Sequence, residues 1–137
     1  MSPGLRISHI LLVFFTVLIV SPTNVSAQRI YDTSGSTIGR VDGNRYYDGR
    51  GSTIGRVDDN RVYDSRGRNI GRIDRDRIYD NRGRTIGRVD GNRLFDSRGR
   101  NIGRIDSNRI YDERGRYIAR TEGLTQRQII LFYYFFF

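Results

Sequence analysis

Arginine and aspartate carry almost all the chemistry open to this chain, and they recur at fixed intervals. Arg72, Arg88 and Arg104 stand 16 residues apart, and Asp74, Asp90 and Asp106 each follow two residues later. A guanidinium is a planar fork of donors and a carboxylate accepts two of them, so this spacing suits a ladder of bidentate ion pairs. The same groups could instead hold a ligand. The missing residue types narrow the choice. The sequence has no Cys, Trp or Lys, and its single His is His9. Beyond that point the usual general base, thiol nucleophile and Schiff-base amine are all absent, as are His and Cys ligands for zinc. Hydrolysis by a carboxylate pair needs one pair set apart from the others, and here every segment offers similar aspartates. Calcium is disfavoured too, because the spacing lacks the nonapeptide pattern of calcium-binding β-solenoids and an Arg sits beside nearly every Asp. The chain reads as a non-enzyme with no catalytic residue, no metal and no cofactor.

These residues are positioned by a repeat. From Arg29 to Leu124 the sequence divides without a gap into six 16-residue units, beginning RIYDTSGSTIGRVDGN and ending RIYDERGRYIARTEGL. One eleven-residue phrase, DSRGRNIGRID, occurs at Asp64–Asp74 and again at Asp96–Asp106. A short fixed period implies identical supersecondary units that bury a shared core. Each unit reads as a β-hairpin. Asp64-Ser65-Arg66-Gly67 has Asp opening a type I turn and Gly closing it in the left-handed region, the three-residue loop with a G1 bulge. The second turn, Asp-x-Asn or Asp-x-Asp, links one hairpin to the next, and Asn and Asp tolerate left-handed geometry best among non-Gly residues. The expected fold is therefore all-β: an antiparallel meander of six hairpins, closed or radial. In the sixth unit Ala119 replaces the second Gly and Thr121-Glu122 replaces Val-Asp, a decay that suits a terminal capping unit.

The first turn sets a register. Asp64 faces Arg68, Tyr63 faces Asn69, Val62 faces Ile70 and Arg61 faces Gly71. Across the second turn Gly71 falls opposite Tyr79, as Gly55 does opposite Tyr63 and Gly87 opposite Phe95. An aromatic ring over a cross-strand Gly covers bare backbone. Tyr31, Tyr47, Tyr63, Tyr79, Phe95 and Tyr111 are accordingly expected in the core, in preference to a sugar-stacking role. The Arg–Asp pairs are expected to be structural, each contributing under about 1 kcal/mol if exposed.

Both ends carry separate signals. Arg6 precedes an apolar run, Ile10–Val20, and SPTNVSA ends in a small-x-small pattern that places cleavage between Ala27 and Gln28. This is the form of a secretory signal peptide over 1–27; a membrane span needs about 20 apolar residues, and no Cys follows for lipid attachment. The expected product is exported to the periplasm, cell surface or medium, is not a lipoprotein, and keeps no transmembrane span. Residues 28–124 form the repeat domain. Residues 125–137, TQRQIILFYYFFF, open with a capping box of Thr125 and Gln128, and Leu124 and Ile129 suit a hydrophobic staple. A helix apolar all round has to be buried, so this one is expected to plug the repeats.

The surface suggests binding. All first turns fall at one end, with Arg50, Arg66, Arg68, Arg82, Arg84, Arg98, Arg100, Arg114 and Arg116 at their tips. The opposite turns carry Asp42, Asp58, Asp59, Asp74, Asp76, Asp90 and Asp106 against Arg75. A basic rim and an acidic rim follow. The basic rim suits an extracellular polyanion or glycan, without sequence-specific readout of nucleic acid. Opposite charges at the two ends would instead favour head-to-tail self-association in a structural, envelope-building role.

The pattern (R/I)(Y/F)DxxGxxIGRVD, behind a signal peptide in a small Cys-free chain, resembles the β-flower proteins (four-fold and five-fold β-flower), small exported proteins best known from Bacteroidetes. The resemblance runs from Arg29 to Leu124 and takes in the Phe-rich C-terminus. It implies a ring of β-hairpin petals around a pseudo-symmetry axis, and it brings no catalytic residues and no cofactor. Six copies stand here where the family has four or five.

Overall fold

The structure is a computed structural model that describes residues 28–137; the signal peptide expected over 1–27 lies outside the described residues. Each 16-residue unit forms one hairpin, or petal, of a four-residue and a six-residue strand. Petal 1 is β1 (Arg29–Asp32) and β2 (Thr37–Asp42), petal 2 is β3 (Arg45–Asp48) and β4 (Thr53–Asp58), and petal 3 is β5 (Arg61–Asp64) and β6 (Asn69–Asp74). Petal 4 is β7 (Arg77–Asp80) and β8 (Thr85–Asp90), petal 5 is β9 (Arg93–Asp96) and β10 (Asn101–Asp106), and petal 6 is β11 (Arg109–Asp112) and β12 (Tyr117–Glu122). A single helix, α1 (Gln126–Phe135), follows.

The twelve strands close into an antiparallel barrel in sequence order, with β12 pairing back onto β1. The closing seam has the register of every other inter-petal seam. Tyr31 lies opposite Arg120 there, as Tyr47 lies opposite Arg40. Petal 6 is thus a full member of the ring and not a cap, because a closed ring has no end to cap and no edge strand to protect.

The first turns form as their residues dictate. In petal 3 the N–H of Gly67 donates to the Asp64 carbonyl (3.0 Å) and that of Asp64 to the Arg68 carbonyl (2.9 Å), with Gly67 at φ 80°. The second turns differ from expectation in one detail. The left-handed residue is the first of the two central ones, at Gly43, Asp59, Arg75, Gly91 and Ser107, and not the Asn or Asp after it.

A further β-bulge changes the register. Tyr63 pairs with Asn69, but Val62 then pairs with Gly71 and Arg61 with Arg72, leaving Ile70 as the extra residue. The Asn69 side chain accepts the Gly71 N–H (3.0 Å), which gives the irregular backbone a local partner. Because side chains alternate across a strand, a one-residue slip exchanges the faces. Gly71 therefore points inward, and Arg72, not Gly71, stands opposite Tyr79. The expected Val62–Ile70 and Gly71–Tyr79 pairings are replaced in this way, and the equivalents recur around the ring.

The inside of the barrel holds Ile30, Tyr46, Val62, Ile78, Leu94 and Ile110 from the short strands, packed with Ile129, Ile130, Leu131 and Phe132 of α1. The helix starts as its sequence specifies. Thr125 accepts the Gln128 N–H (3.2 Å), and the Gln128 side chain accepts the Thr125 N–H (2.9 Å). Its aromatic residues then seat on the inward glycines, one per petal: Phe132 on Gly39, Phe136 on Gly55, Phe135 on Gly71, Tyr134 on Gly87 and Tyr133 on Gly103. A Cβ at any of the first four glycines would run into the facing ring, and at Gly103 it would meet the Tyr111 carbonyl oxygen and the Tyr133 hydroxyl. The sixth petal has buried Ala119 at this position, which supplies its own methyl group. Rings from the plug, and not cross-strand tyrosines, cover the bare glycine backbone.

Candidate polyanion-binding surface

The bulge decides what faces solvent. With Gly71 and Ile73 inward, Arg72 and Asp74 lie on the outer wall beside Tyr63 and Tyr79 of the adjacent strands. Each belt arginine lays its guanidinium over the ring of the next petal: Arg40 on Tyr47 at 4.1 Å, Arg56 on Tyr63 at 4.3 Å, Arg72 on Tyr79 at 4.0 Å. Arg88 on Phe95 (4.6 Å), Arg104 on Tyr111 (4.3 Å) and Arg120 on Tyr31 (4.5 Å) complete the circle. These aromatics are half-buried on the outside, so the core assignment made for them from sequence is corrected. A stacked guanidinium uses its face and keeps its edge donors available.

The arginine–aspartate ladder is weaker than its spacing suggests. Arg72 Nη1 reaches Asp74 Oδ2 at 3.8 Å, and the Arg40–Asp42, Arg56–Asp58 and Arg88–Asp90 contacts are 3.8, 3.7 and 3.8 Å. Each is one long contact between residues two apart on the same strand, not a bidentate pair across strands. Arg120 and Glu122 make a shorter one at 2.8 Å. Arg104 has no such pair among the described residues, and its Nε is buried without a hydrogen-bond partner.

A second consequence of the register is electrostatic. Each petal sets two arginines directly opposite one another across its strands: Arg29 and Arg40, Arg45 and Arg56, Arg61 and Arg72, Arg77 and Arg88, Arg93 and Arg104, Arg109 and Arg120. Like charges directly opposite are destabilising. Three shallow grooves of the outer wall each contain both members of one pair, namely Arg61 with Arg72, Arg93 with Arg104, and Arg29 with Arg40.

The rim arginines expected to bind divide into two groups. Arg68, Arg84, Arg100 and Arg116 are spent in part on the fold: each Nε donates to the aspartate that opens its own turn, at 2.9, 2.8, 2.9 and 2.7 Å. The same aspartates accept backbone N–H groups, for example Asp64 Oδ1 from Arg66 (2.9 Å) and Arg68 (3.0 Å). The Arg68 backbone N–H, then the Arg66 N–H and the Arg68 guanidinium, hold the Asp64 carboxyl below its ordinary value, and Asp80, Asp96 and Asp112 are lowered likewise. Arg50, Arg66, Arg82, Arg98 and Arg114 are exposed and form no ion pair among the described residues.

The expected contrast between a basic and an acidic rim does not form. At the first-turn end, nine arginines meet Asp32, Asp48, Asp64, Asp80, Asp96, Asp112 and Glu113. At the other end the seven aspartates and Glu122 are matched by Arg29, Arg45, Arg61, Arg77, Arg93, Arg109, Arg75 and Arg127. Pairs such as Asp42–Arg45 close the two-residue turns there, and Arg127 donates to the Asp59 carbonyl at 2.6 Å. The excess positive charge resides mainly in the six belt arginines. Sequence reading missed the belt because an unbulged register turns these side chains to the wrong face.

What the wall can do chemically is hold oxyanions by charge-assisted hydrogen bonds. Among the described residues no group of three or more His, Cys, Asp or Glu is placed to hold a metal ion, and no helix is long and apolar enough to cross a membrane. No curated protein and no solved structure matches this chain. A family model described as 5-fold beta-flower protein matches residues 27–137. The match takes in the whole ring and its plug, and so the chain belongs to the 5-fold beta-flower protein family, with six petals in its ring.

Proposed function

We propose that this protein is a non-enzymatic module, exported by its N-terminal signal, that binds extracellular polyanions or acidic glycans along its arginine-bearing outer wall. The observation that carries this reading is the set of six cross-strand arginine pairs, in which each belt guanidinium faces a second arginine directly across the petal. A run of sulfate, phosphate or carboxylate groups relieves that repulsion, while the stacked aromatic rings hold the belt guanidiniums in place. Such binding is electrostatic and releases counterions, so affinity falls steeply with salt. Readout of nucleic-acid sequence is not part of the proposal, since a repeated guanidinium array has nothing with which to distinguish bases. The self-assembling alternative relies on oppositely charged ends, and the arginines at the second rim weaken that electrostatic drive.

The test is retention on immobilised heparin compared with an inert cation exchanger across a salt gradient. Wild-type protein is expected to elute from heparin at distinctly higher salt than from the exchanger. Changing Arg56, Arg72 and Arg88 together to Gln should erase that difference. The rim triple Arg66→Gln, Arg82→Gln and Arg98→Gln should reduce it less. Equal elution of wild-type protein from both columns would end the reading.

A further inference from the structure

The geometry points to one discrete oxyanion site on this wall, in the groove between petals 1 and 2, that takes a single sulfate or phosphate ester group. It rests on the polyanion reading and gives it an anchoring point. Three grooves contain an arginine pair, but their balance of charge differs. Arg61 and Arg72 share theirs with Asp58 and Asp59, and Arg93 and Arg104 share theirs with Asp112 and Glu113. In the third, Arg29 and Arg40 are joined by Arg50 from the neighbouring tip and by Thr37, against Asp48 alone. Three guanidiniums and a hydroxyl thus meet one carboxylate, whose Oδ1 is already engaged by the N–H groups of Arg50 and Ser52, both at 2.9 Å.

Gly49 lets a tip arginine join the belt pair in this groove, unlike in the grooves of Arg61–Arg72 and Arg93–Arg104. The equivalent turn position carries a side chain in the other five petals: Thr33, Ser65, Asn81, Ser97 and Glu113. A Cβ on Gly49 would collide with the carbonyl oxygen of Thr37. The turn of petal 2 therefore packs closely against β2, and Arg50 lines the same groove as the Arg29–Arg40 pair. Arg40 is pre-ordered by its stack on Tyr47, so its edge donors are set before an anion arrives. A tetrahedral oxyanion has enough acceptors for donors converging from three side chains, which a carboxylate with two oxygens does not satisfy as fully.

The experiment is an amide NMR titration of the protein with inorganic sulfate and inorganic phosphate at constant ionic strength, followed by a sulfated and a phosphorylated monosaccharide. Saturable shifts confined to Thr37 and Gly49–Gly51 are expected, and the two monosaccharides reveal which ester is preferred. Arg50→Gln should weaken binding about tenfold or more, the loss of one charge-assisted contact. Gly49→Ser should weaken it as well, with the fold kept, because five petals already bear a side chain there. Arg66→Gln, the same tip position in petal 3, should change nothing. Equal shifts at all tips, or equal losses for Arg50→Gln and Arg66→Gln, would overturn the single site while leaving heparin retention intact. A saturable site without salt-sensitive heparin retention would overturn the polyanion reading instead.

Discussion

Gly39→Ala isolates the fit between plug and barrel. At the other four ring-covered glycines a new Cβ would also meet a cross-strand carbonyl oxygen. At Gly39 the three nearest atoms all belong to the Phe132 ring, with Cε2 at 2.6 Å. The ring has little room to retreat: Phe132 is 3% exposed, with Tyr46 and Phe136 each 6.1 Å away between centroids. Forcing an extra methyl into such packing costs about 1–3 kcal/mol. Replacing a strand Gly by Ala returns about 0.5–1 kcal/mol through backbone entropy. The net is a destabilisation of up to about 2.5 kcal/mol, or as much as roughly 15 °C in melting temperature for a domain of this size. Phe132→Ala alone should cost about 3–5 kcal/mol through the cavity it leaves. In the double variant the methyl added at position 39 occupies space the ring has vacated, so the combined loss should not exceed that of Phe132→Ala. The assay is urea and thermal unfolding of all four members of the cycle. Simple additivity would refute the idea that the ring and the missing Cβ occupy the same space.

Two further outcomes follow from local geometry. Arg75 and Ser107 sit at φ 55° and 53°, where two other petals use Gly43 and Gly91. Left-handed geometry costs a non-Gly residue about 1–2 kcal/mol, against about 0.5–1 kcal/mol for the added freedom of Gly. Arg75→Gly should therefore raise the melting temperature by a few degrees, and a fall would count against the strain. The tip aspartates Asp64, Asp80, Asp96 and Asp112 have carboxyls lowered in the folded state. A group lowered on folding contributes fully above its unfolded value of about 3.9 and loses that contribution as pH falls through its folded value. Melting temperature should stay level from neutral pH to about 5 and drop below about 4. Changing all four to Asn should flatten the acid limb, and an unchanged limb would place the acid sensitivity elsewhere.

The sequence by itself determined everything that depends on neighbours along the chain. The Asp-x-x-Gly tips form because Asp64 caps its own turn and Gly67 adopts a positive φ at no steric cost. Thr125 and Gln128 fix the start of the helix, and the 16-residue period fixes six equivalent hairpins. The polar tip arginines were legible for the same reason. The tertiary structure decided which face each residue occupies, because one extra residue at Ile70 inverts the strand and no local rule for the first turn requires it. That inversion sends Gly71 to the plug and Arg72 to the outer wall, and it converts an expected ion-pair ladder into guanidiniums stacked on tyrosines. Ring closure was likewise not local: Tyr31 meets Arg120 only after five other petals have turned the chain through the circle. The assignment of five aromatic rings to five glycines required the helix to be in place, since a period of 16 says nothing about what fills the space its glycines leave. The surplus of arginine was plain from composition, but the pairing that makes it a candidate site was set by strands joining across the sheet.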